Sequence, residues 1–198
     1  MNKLIVASNN NGKIKEIKAM LAPLNIEVLS LEDAGIDIDV EETGITFKEN
    51  AYIKAKEIYD LIKIPVLSDD SGLEVEALDN EPGVYSARYA GPQKNDEDNI
   101  DKLLENIKDK ENRKGRFICA MVLIIDDNTE YIVEDYLEGK IINERRGNNG
   151  FGYDPVFYVE ELGKTTAQLG PETKNKISHR AKALNQVVNI IKERVECQ

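Results

Sequence analysis

The sequence has no tryptophan, one histidine and two cysteines among its 198 residues. Cys119 lies in an apolar run and Cys197 is the penultimate residue, so neither count nor spacing indicates a disulfide framework or a cysteine-ligated metal. We therefore expect two reduced thiols. His179 has no neighbouring histidines or cysteines at zinc-binding spacing.

Positive charge is in the minority: the chain has 26 basic residues and 37 acidic ones, which gives a net charge of −11. A protein without a basic footprint is not expected to bind duplex nucleic acid. The chain has no apolar run of membrane-spanning length and no charged-then-apolar leader after Met1, so we expect no membrane partner and a cytoplasmic location. Its length suits a single domain over residues 1–198, which could be split into two lobes around a cleft.

Two adjacent carboxylates, Asp69 and Asp70, follow the apolar residues Val66 and Leu67 and precede a Ser-Gly pair. This pattern predicts a strand that delivers both acids to the edge of a sheet and then turns. Because neighbouring strand side chains point to opposite faces, one carboxylate should face a cleft and the other backbone or turn groups. Such a site suits a hard cation or a base, although an Asp-rich turn between two strands would have the same sequence.

The N-terminal segment Lys3 to Ser8 predicts a strand, followed by a polar loop and an amphipathic helix. The loop places Ser8, Asn10 and Lys13 at the helix start, where free N–H groups and the helix dipole favour an anion. The glycines and the Gly-Lys-Ser/Thr ending of a Walker A loop are missing. A capped surface helix with a solvated lysine is the alternative.

A second helix is predicted from about Phe47 to Leu61, because Thr46 and Glu49 have capping-box spacing before an apolar face. It carries Lys54 and Lys56, and the acidic pair Glu41-Glu42 precedes it.

These charges could place a metal ligand and a phosphate partner on one wall of a cleft, or could simply be solvated. Periodicity does not choose between Lys54 and Lys56.

The C-terminal third carries two further candidates. The turn Phe151 to Asp154 could frame a planar base, with Asp154 or a backbone group reading its edge, or its aromatic rings could plug the core. His179 and Arg180 start the last helix, where they could recognise a phosphate or a carbonyl, although a lone histidine is often structural.

The remaining patterns complete an α/β chain. Arg116 to Ile125 and Glu130 to Leu137 predict a long antiparallel hairpin, and Pro155 to Val159 predicts a last short strand before the C-terminal helix. A sheet that contains this hairpin cannot be all parallel. The order of elements predicts a mixed, extended sheet.

Several motifs together resemble the inosine triphosphate pyrophosphatase family, in order along almost the whole chain. They are Ser8-x-Asn10-x-x-Lys13, Glu41-Glu42-Thr43-Gly44-x-Thr46-Phe47-x-Glu49-Asn50-Ala51, Ser68-Asp69-Asp70-Ser71-Gly72-Leu73, Pro82-Gly83-x-Tyr85-Ser86-Ala87-Arg88-Tyr89, Phe151-Gly152-Tyr153-Asp154-Pro155 and Ile177-Ser178-His179-Arg180. The resemblance implies an elongated mixed β-sheet flanked by helices, with two lobes around a nucleotide-binding groove, and a homodimer. It also implies hydrolysis of the purine nucleoside triphosphates ITP, dITP and XTP to monophosphate and pyrophosphate.

The resemblance implies roles for individual residues. Asp70 would be the catalytic base and, with Glu41, would bind Mg2+; Glu42 is the alternative to Glu41. The triphosphate would be held by Ser8, Asn9, Asn10, Asn11, Gly12, Lys13 and Lys54. Other nucleotide contacts would come from Ser71, Phe151, Gly152, Tyr153, Asp154, Lys174, His179 and Arg180.

Two other functions fit parts of the sequence. A Maf-type nucleotide pyrophosphatase has a similar architecture and acts on other nucleotides, but Phe151 to Asp154 and Ser178 to Arg180 weigh against it. A nucleotide sensor without turnover would use the same cleft, but such a protein has no need of a base at Asp70.

Overall fold

The computed structural model describes residues 1–196, which form a mixture of strands and helices. The strands are β1 (Lys3–Ala7), β2 (Glu27–Ser30), β3 (Val66–Val75), β4 (Lys114–Asp126), β5 (Thr129–Ile141), β6 (Phe157–Val159) and β7 (Lys164–Thr165). The helices are α1 (Asn11–Leu21), α2 (Phe47–Ile62), α3 (Asp96–Ile107), α4 (Pro171–Ile177) and α5 (His179–Glu196). Cys197 lies outside the described residues.

The strands form one seven-stranded sheet in the order β2-β1-β3-β4-β5-β6-β7. β1 pairs in parallel with β2 and β3, whereas β6 pairs antiparallel with β5 and β7. β4 and β5 are neighbours joined by residues 127–128, a connection that only antiparallel strands permit. The predicted hairpin and the predicted mixed α/β sheet are therefore confirmed.

The chain divides into two compact units. The first comprises Met1–Asp70, Cys119–Asp135 and the C-terminal helix from Lys182 onward. Its apolar core combines one face of α1 with residues of β1, β3, β4 and α5, among them Ile17, Leu67 and Leu184. α1 starts where Asn10 accepts a hydrogen bond from the backbone N–H of Lys13, as an N-cap asparagine should.

The second unit comprises Ser71–Ile118 and Tyr136–Ala181. Its core joins Leu73 and Val75 of β3 with apolar residues of α3, β4, β5 and β6. Phe157 is fully buried at the centre and packs against Phe117, with ring centroids 4.3 Å apart.

α2 confirms the prediction made from its capping residues. Thr46 accepts from the backbone of Glu49, and the Glu49 side chain accepts from the backbone of Thr46, which completes the capping box. Ser68 of β3 donates to the carbonyl of Ala51, which ties α2 to β3 in the first unit.

The predicted turn at Ser71 and Gly72, directly after the two acids, is wrong, because β3 continues through both residues to Val75. Turn-forming residue types were outweighed by burial and by partners for both carboxylates, which let the strand continue. The short strand near Pro155 is not the last one either. β7 and α4 follow it, and both are too short to produce a clear periodic pattern.

Across residues 1–196, no helix is both long enough and apolar enough to cross a bilayer.

Candidate active site

The first unit gathers charged side chains where β1 ends beside β3. The pairing between these strands stops at Ala7 and Ser68, so Asp69 and Asp70 lie one and two residues beyond the last β1 partner. Alternation along β3 sends the two carboxylates to different helices, Asp69 to α1 and Asp70 to α2. The prediction of opposite faces is correct, but Asp69 meets a lysine and a thiol rather than turn groups.

Asp69 forms a buried ion pair with Lys13. Its Oδ2 lies 2.9 Å from the Lys13 ammonium, and its side chain has no solvent exposure. The Cys119 thiol lies 4.0 Å from the same oxygen. Asp69 thereby fixes the Lys13 side chain beside the start of α1.

The loop before α1 leaves the helix N-terminus open to solvent. Asn9, Asn10, Asn11 and Gly12 are exposed, and the Ser8 hydroxyl accepts a hydrogen bond from the backbone of Asn10 at 3.2 Å. Free N–H groups at an exposed helix start, with an ammonium beside them, are suited to bind an anion such as a phosphate.

Asp70 is 8% exposed and faces two residues of α2. Its Oδ2 accepts from the Asn50 side chain at 3.2 Å, and its Oδ1 lies 4.0 Å from the Lys54 ammonium. Burial is the main reason that the pKa of Asp70 lies above its ordinary value. The positive charges of Lys54 and Lys13 lower this pKa, but by less than burial raises it. Repulsion from the carboxylates of Glu42 and Asp69 raises it further.

Lys54 lies at this cluster and Lys56 does not. The Lys54 ammonium is 2.5 Å from Glu42, whereas Lys56 pairs with Asp60 on the exposed side of the same helix. Burial lowers the pKa of Lys54, but the nearby carboxylates outweigh burial, so the pKa lies above its ordinary value and the group stays charged.

Asn50 is a site residue to which the sequence analysis gave no role. It is fully buried, donates to Asp70 and accepts from the backbone N–H of Gly44 at 2.7 Å. An amide three positions after Phe47, on the apolar face of a helix, is the signal that could have revealed it.

Oxygen ligands for a hard cation are present here. Glu42 and Asp70 both face Lys54, whereas Glu41 is exposed. Among the side chains that the structure describes, residues 1–194, no three His, Cys, Asp or Glu converge as a complete metal cage. Mg2+ commonly takes one or two protein carboxylates and completes its shell with phosphate oxygens and water, so this donor set fits that ion.

In the second unit, the buried carboxylate of Asp154 organises the aromatic turn. Its Oδ2 accepts from the Phe151 backbone N–H at 2.9 Å and from the Lys174 ammonium at 2.7 Å. Its Oδ1 accepts from the Thr166 hydroxyl at 2.7 Å. The carboxylate is thus occupied within the protein, where it holds the Phe151 backbone and the Lys174 ammonium next to each other.

Phe151 is 40% exposed and has two cations beside its ring. The Lys174 ammonium lies 5.2 Å and the Arg180 guanidinium 5.6 Å from the ring centroid. Arg180 also donates to the Ser71 hydroxyl at 3.1 Å. An exposed aromatic face with adjacent donors can bind a planar, electron-rich ring.

The other residues predicted at this turn are more enclosed. Tyr153 is buried, donates to the carbonyl of Ser86 at 2.8 Å, and has a pKa raised mainly by burial. Gly152 donates its backbone N–H to Asp96 at 2.7 Å. His179 is 9% exposed and stacks on Phe117, with centroids 5.0 Å apart.

The structure thus collects many of the predicted residues, with Asn50 added, into two clusters, one in each unit. The first-unit cluster consists of Ser8, Asn10, Lys13, Glu42, Asn50, Lys54, Asp69 and Asp70. The second-unit cluster consists of Ser71, Phe151, Asp154, Lys174 and Arg180, with His179 at the start of α5.

Known proteins match over the full length. Residues 4–190 match the Ham1 family. A Clostridium tetani protein named dITP/XTP pyrophosphatase is 47% identical over 199 residues, which covers 99% of each chain. A Bacillus subtilis protein of the same name is 46% identical over 193 residues, which covers 96% of this chain and 98% of its own.

Solved structures agree. The Staphylococcus aureus Ham1 protein superposes with a TM-score of 0.90 at 42% identity, covering 98% of this chain and all of its own. A HAM1 protein from Coxiella burnetii superposes with a TM-score of 0.91 at 41% identity and equal coverage. These matches confirm the resemblance indicated by the motifs, and the chain belongs to the Ham1 family.

Proposed function

We propose that this protein hydrolyses the purine nucleoside triphosphates ITP, dITP and XTP to monophosphate and pyrophosphate, and so removes non-standard purines from the nucleotide pool. It is a nucleoside triphosphate pyrophosphatase, a hydrolase that acts on an acid anhydride. The observation that carries the proposal is Asp70, a buried carboxylate with a raised pKa beside Lys54.

The first-unit cluster has the parts that attack at the α-phosphorus requires. A water must be positioned in line, a base must take its proton, and cations must neutralise the leaving pyrophosphate. Asp70 takes the proton from water. The Asn50 side chain fixes the Asp70 carboxylate by a hydrogen bond to Oδ2, and the Lys54 ammonium lies near Oδ1. The exposed start of α1 and Lys13 hold the triphosphate.

Mg2+ is the proposed cofactor. Asp70 and Glu42 would hold it, and when bound it adds positive charge against the triphosphate. We favour Glu42 over the sequence-based choice of Glu41, because Glu42 contacts Lys54 and Glu41 is exposed.

The second-unit cluster is proposed to select the base. Phe151 stacks on the purine, while Lys174, His179 and Arg180 donate toward the 6-keto oxygen. Adenine has an amino group at this position and would leave those donors unpaired. A site built to hydrogen-bond one group rejects an analogue that lacks it by roughly 10⁴-fold in favourable cases.

One assay separates this function from its competitors. The protein is incubated with Mg2+ and ITP, dITP, XTP, GTP, ATP or a pyrimidine triphosphate, and pyrophosphate and monophosphate are measured. We expect ITP, dITP and XTP to be cleaved in preference to the others. Preference for a pyrimidine would support a Maf-type enzyme, and binding without pyrophosphate release would support a sensor.

The choice of metal ligand gives a second test. Glu42→Gln should raise the Mg2+ concentration needed for half-maximal activity by roughly 10- to 100-fold, because one oxygen ligand loses its charge. Glu41→Gln is the matched control and should shift it by less than about twofold, because the exposed side chain has no part in the cluster. The reverse order would return the role to Glu41.

A homodimer, a cytoplasmic location and the absence of a nucleic-acid partner stay predictions from the sequence. Light scattering coupled to size-exclusion chromatography tests the first directly.

A further inference from the structure

Thr166 is a buried threonine to which the proposed mechanism assigns no role. It is 2% exposed, and its hydroxyl lies 2.7 Å from Oδ1 of Asp154 and 3.2 Å from the Asp154 carbonyl. A hydroxyl donating to a buried carboxylate is a charge-assisted hydrogen bond, which is stronger than a neutral one. Thr166 therefore fixes the orientation of the Asp154 side chain.

The backbone around Thr166 supports the turn at further points. Ala167 donates to the carbonyl of Asp154 and accepts from the backbone N–H of Asn149. Thr165 donates its hydroxyl to the carbonyl of Arg146 at 2.6 Å. The segment 165–167 is thus hydrogen-bonded to residues 146–154 at several points. Within this segment, Thr166 is the residue whose side chain contacts the Asp154 carboxylate.

The other oxygen of Asp154 faces the groups proposed to meet the base. It accepts from the Phe151 backbone and from the Lys174 ammonium, which lies beside the Phe151 ring. A rotation of the Asp154 carboxylate moves both groups together. The hydroxyl of Thr166 is therefore connected to Phe151 and Lys174 through a single side chain.

We propose that Thr166 is a positioning residue for purine selection, acting through Asp154 on Phe151 and Lys174. This rests on the proposed function of the second-unit cluster. Thr166 is buried and does not contact the substrate itself. Its hydroxyl orients the Asp154 carboxylate, and that carboxylate in turn positions the Phe151 backbone and the Lys174 ammonium.

The test compares Thr166→Val, which keeps the shape and removes the hydroxyl, with Thr166→Ser, which keeps the hydroxyl. We expect Thr166→Val to lower kcat/KM for ITP by about 5- to 20-fold, mainly through KM, and to lower the ITP-to-ATP ratio. Thr166→Ser should stay within about twofold of wild type. Thr129→Val, in the first unit, controls for the substitution itself and should leave both quantities unchanged.

A second measurement does not depend on turnover. Amide hydrogen exchange, resolved by residue, should show faster exchange at the Phe151 N–H in Thr166→Val but not in Thr166→Ser. The proposal is overturned if the Val and Ser variants have the same ITP-to-ATP ratio, or if Phe151 exchange is equal in both. Inactivity of the wild-type protein on ITP would instead contradict the proposed function. The exchange comparison would still show whether the Thr166 hydroxyl positions Phe151 through Asp154.

Discussion

Asp70→Asn is expected to lower kcat for ITP by about 10²- to 10⁴-fold, the range attributed to a positioned general base. The amide has nearly the same shape as the carboxylate but cannot take a proton from water, and it is a poorer ligand for a cation. Steady-state kinetics at saturating Mg2+ measure the loss. Near-normal activity of this variant would show that the base lies elsewhere.

The same substitution should not weaken the fold. The raised pKa of Asp70 means that the folded protein disfavours the charged form relative to the unfolded chain, even with its attraction to Lys54 and Lys13 included. This penalty is fully present above the raised folded pKa and disappears once the pH falls below the ordinary pKa of an aspartate. At neutral pH without metal, Asp70→Asn should therefore unfold at an equal or higher temperature than wild type, and the difference should shrink on acidification.

Asp69→Asn is the matched control for stability. It changes the adjacent carboxylate in the same way, but it breaks the buried ion pair with Lys13 and should lower the unfolding temperature. Thermal melts of both variants, with chelator present, compare the two effects. A large destabilisation by Asp70→Asn would contradict the electrostatic account of its environment.

Gly150→Ala is expected to lower kcat/KM for ITP by about 10²-fold, the cost typical of displacing a positioned group by an ångström. Gly150 has φ +85°, and a Cβ there would overlap the Asp154 carboxylate and approach the Lys174 ammonium to 2.9 Å. Asp154 could not then hold Phe151 and Lys174 together. The effect should appear mainly in KM, because the groups around Asp70 are unchanged.

Gly163→Ala is the control that separates the steric overlap caused by Gly150→Ala from the backbone strain that both substitutions cause. Gly163 has φ +63° and only the Tyr158 hydroxyl, 3.7 Å away, near its added Cβ. Both variants share the left-handed backbone cost of roughly 1–2 kcal/mol. Gly163→Ala should therefore lose stability but keep its KM for ITP, and equal KM values in the two variants would contradict the assigned role of the Asp154 carboxylate.

Local signals were sufficient for part of the fold. The capping box at Thr46 located the start of α2, and the two strand-like segments on either side of residues 126–128 located the hairpin. The turn predicted at Ser71-Gly72 was wrong, because residue types alone do not show that Lys13 and Asn50 come from other elements to meet Asp69 and Asp70. The continuation of β3 is a tertiary effect.

The site was predictable to a similar extent. The family motifs pointed to Lys13, Asp70 and Lys54, but periodicity by itself left Lys54 and Lys56 equivalent, because it does not show which side of α2 meets β3. One pattern could have helped: Lys54 is four residues from the buried Asn50, whereas Lys56 is four residues from the exposed Asp60. Glu41 and Glu42 lie in an irregular segment without periodicity, so only coordinates distinguish them.

The Glu42–Lys54 ion pair has a consequence for how ligands bind. In this pair a proposed metal ligand and a proposed phosphate partner neutralise each other. A cation that binds Glu42 releases the Lys54 ammonium for a phosphate, and a phosphate that draws Lys54 away exposes Glu42 to a cation. By thermodynamic linkage, each ligand should raise the affinity for the other by the same factor, so that metal and nucleotide bind synergistically.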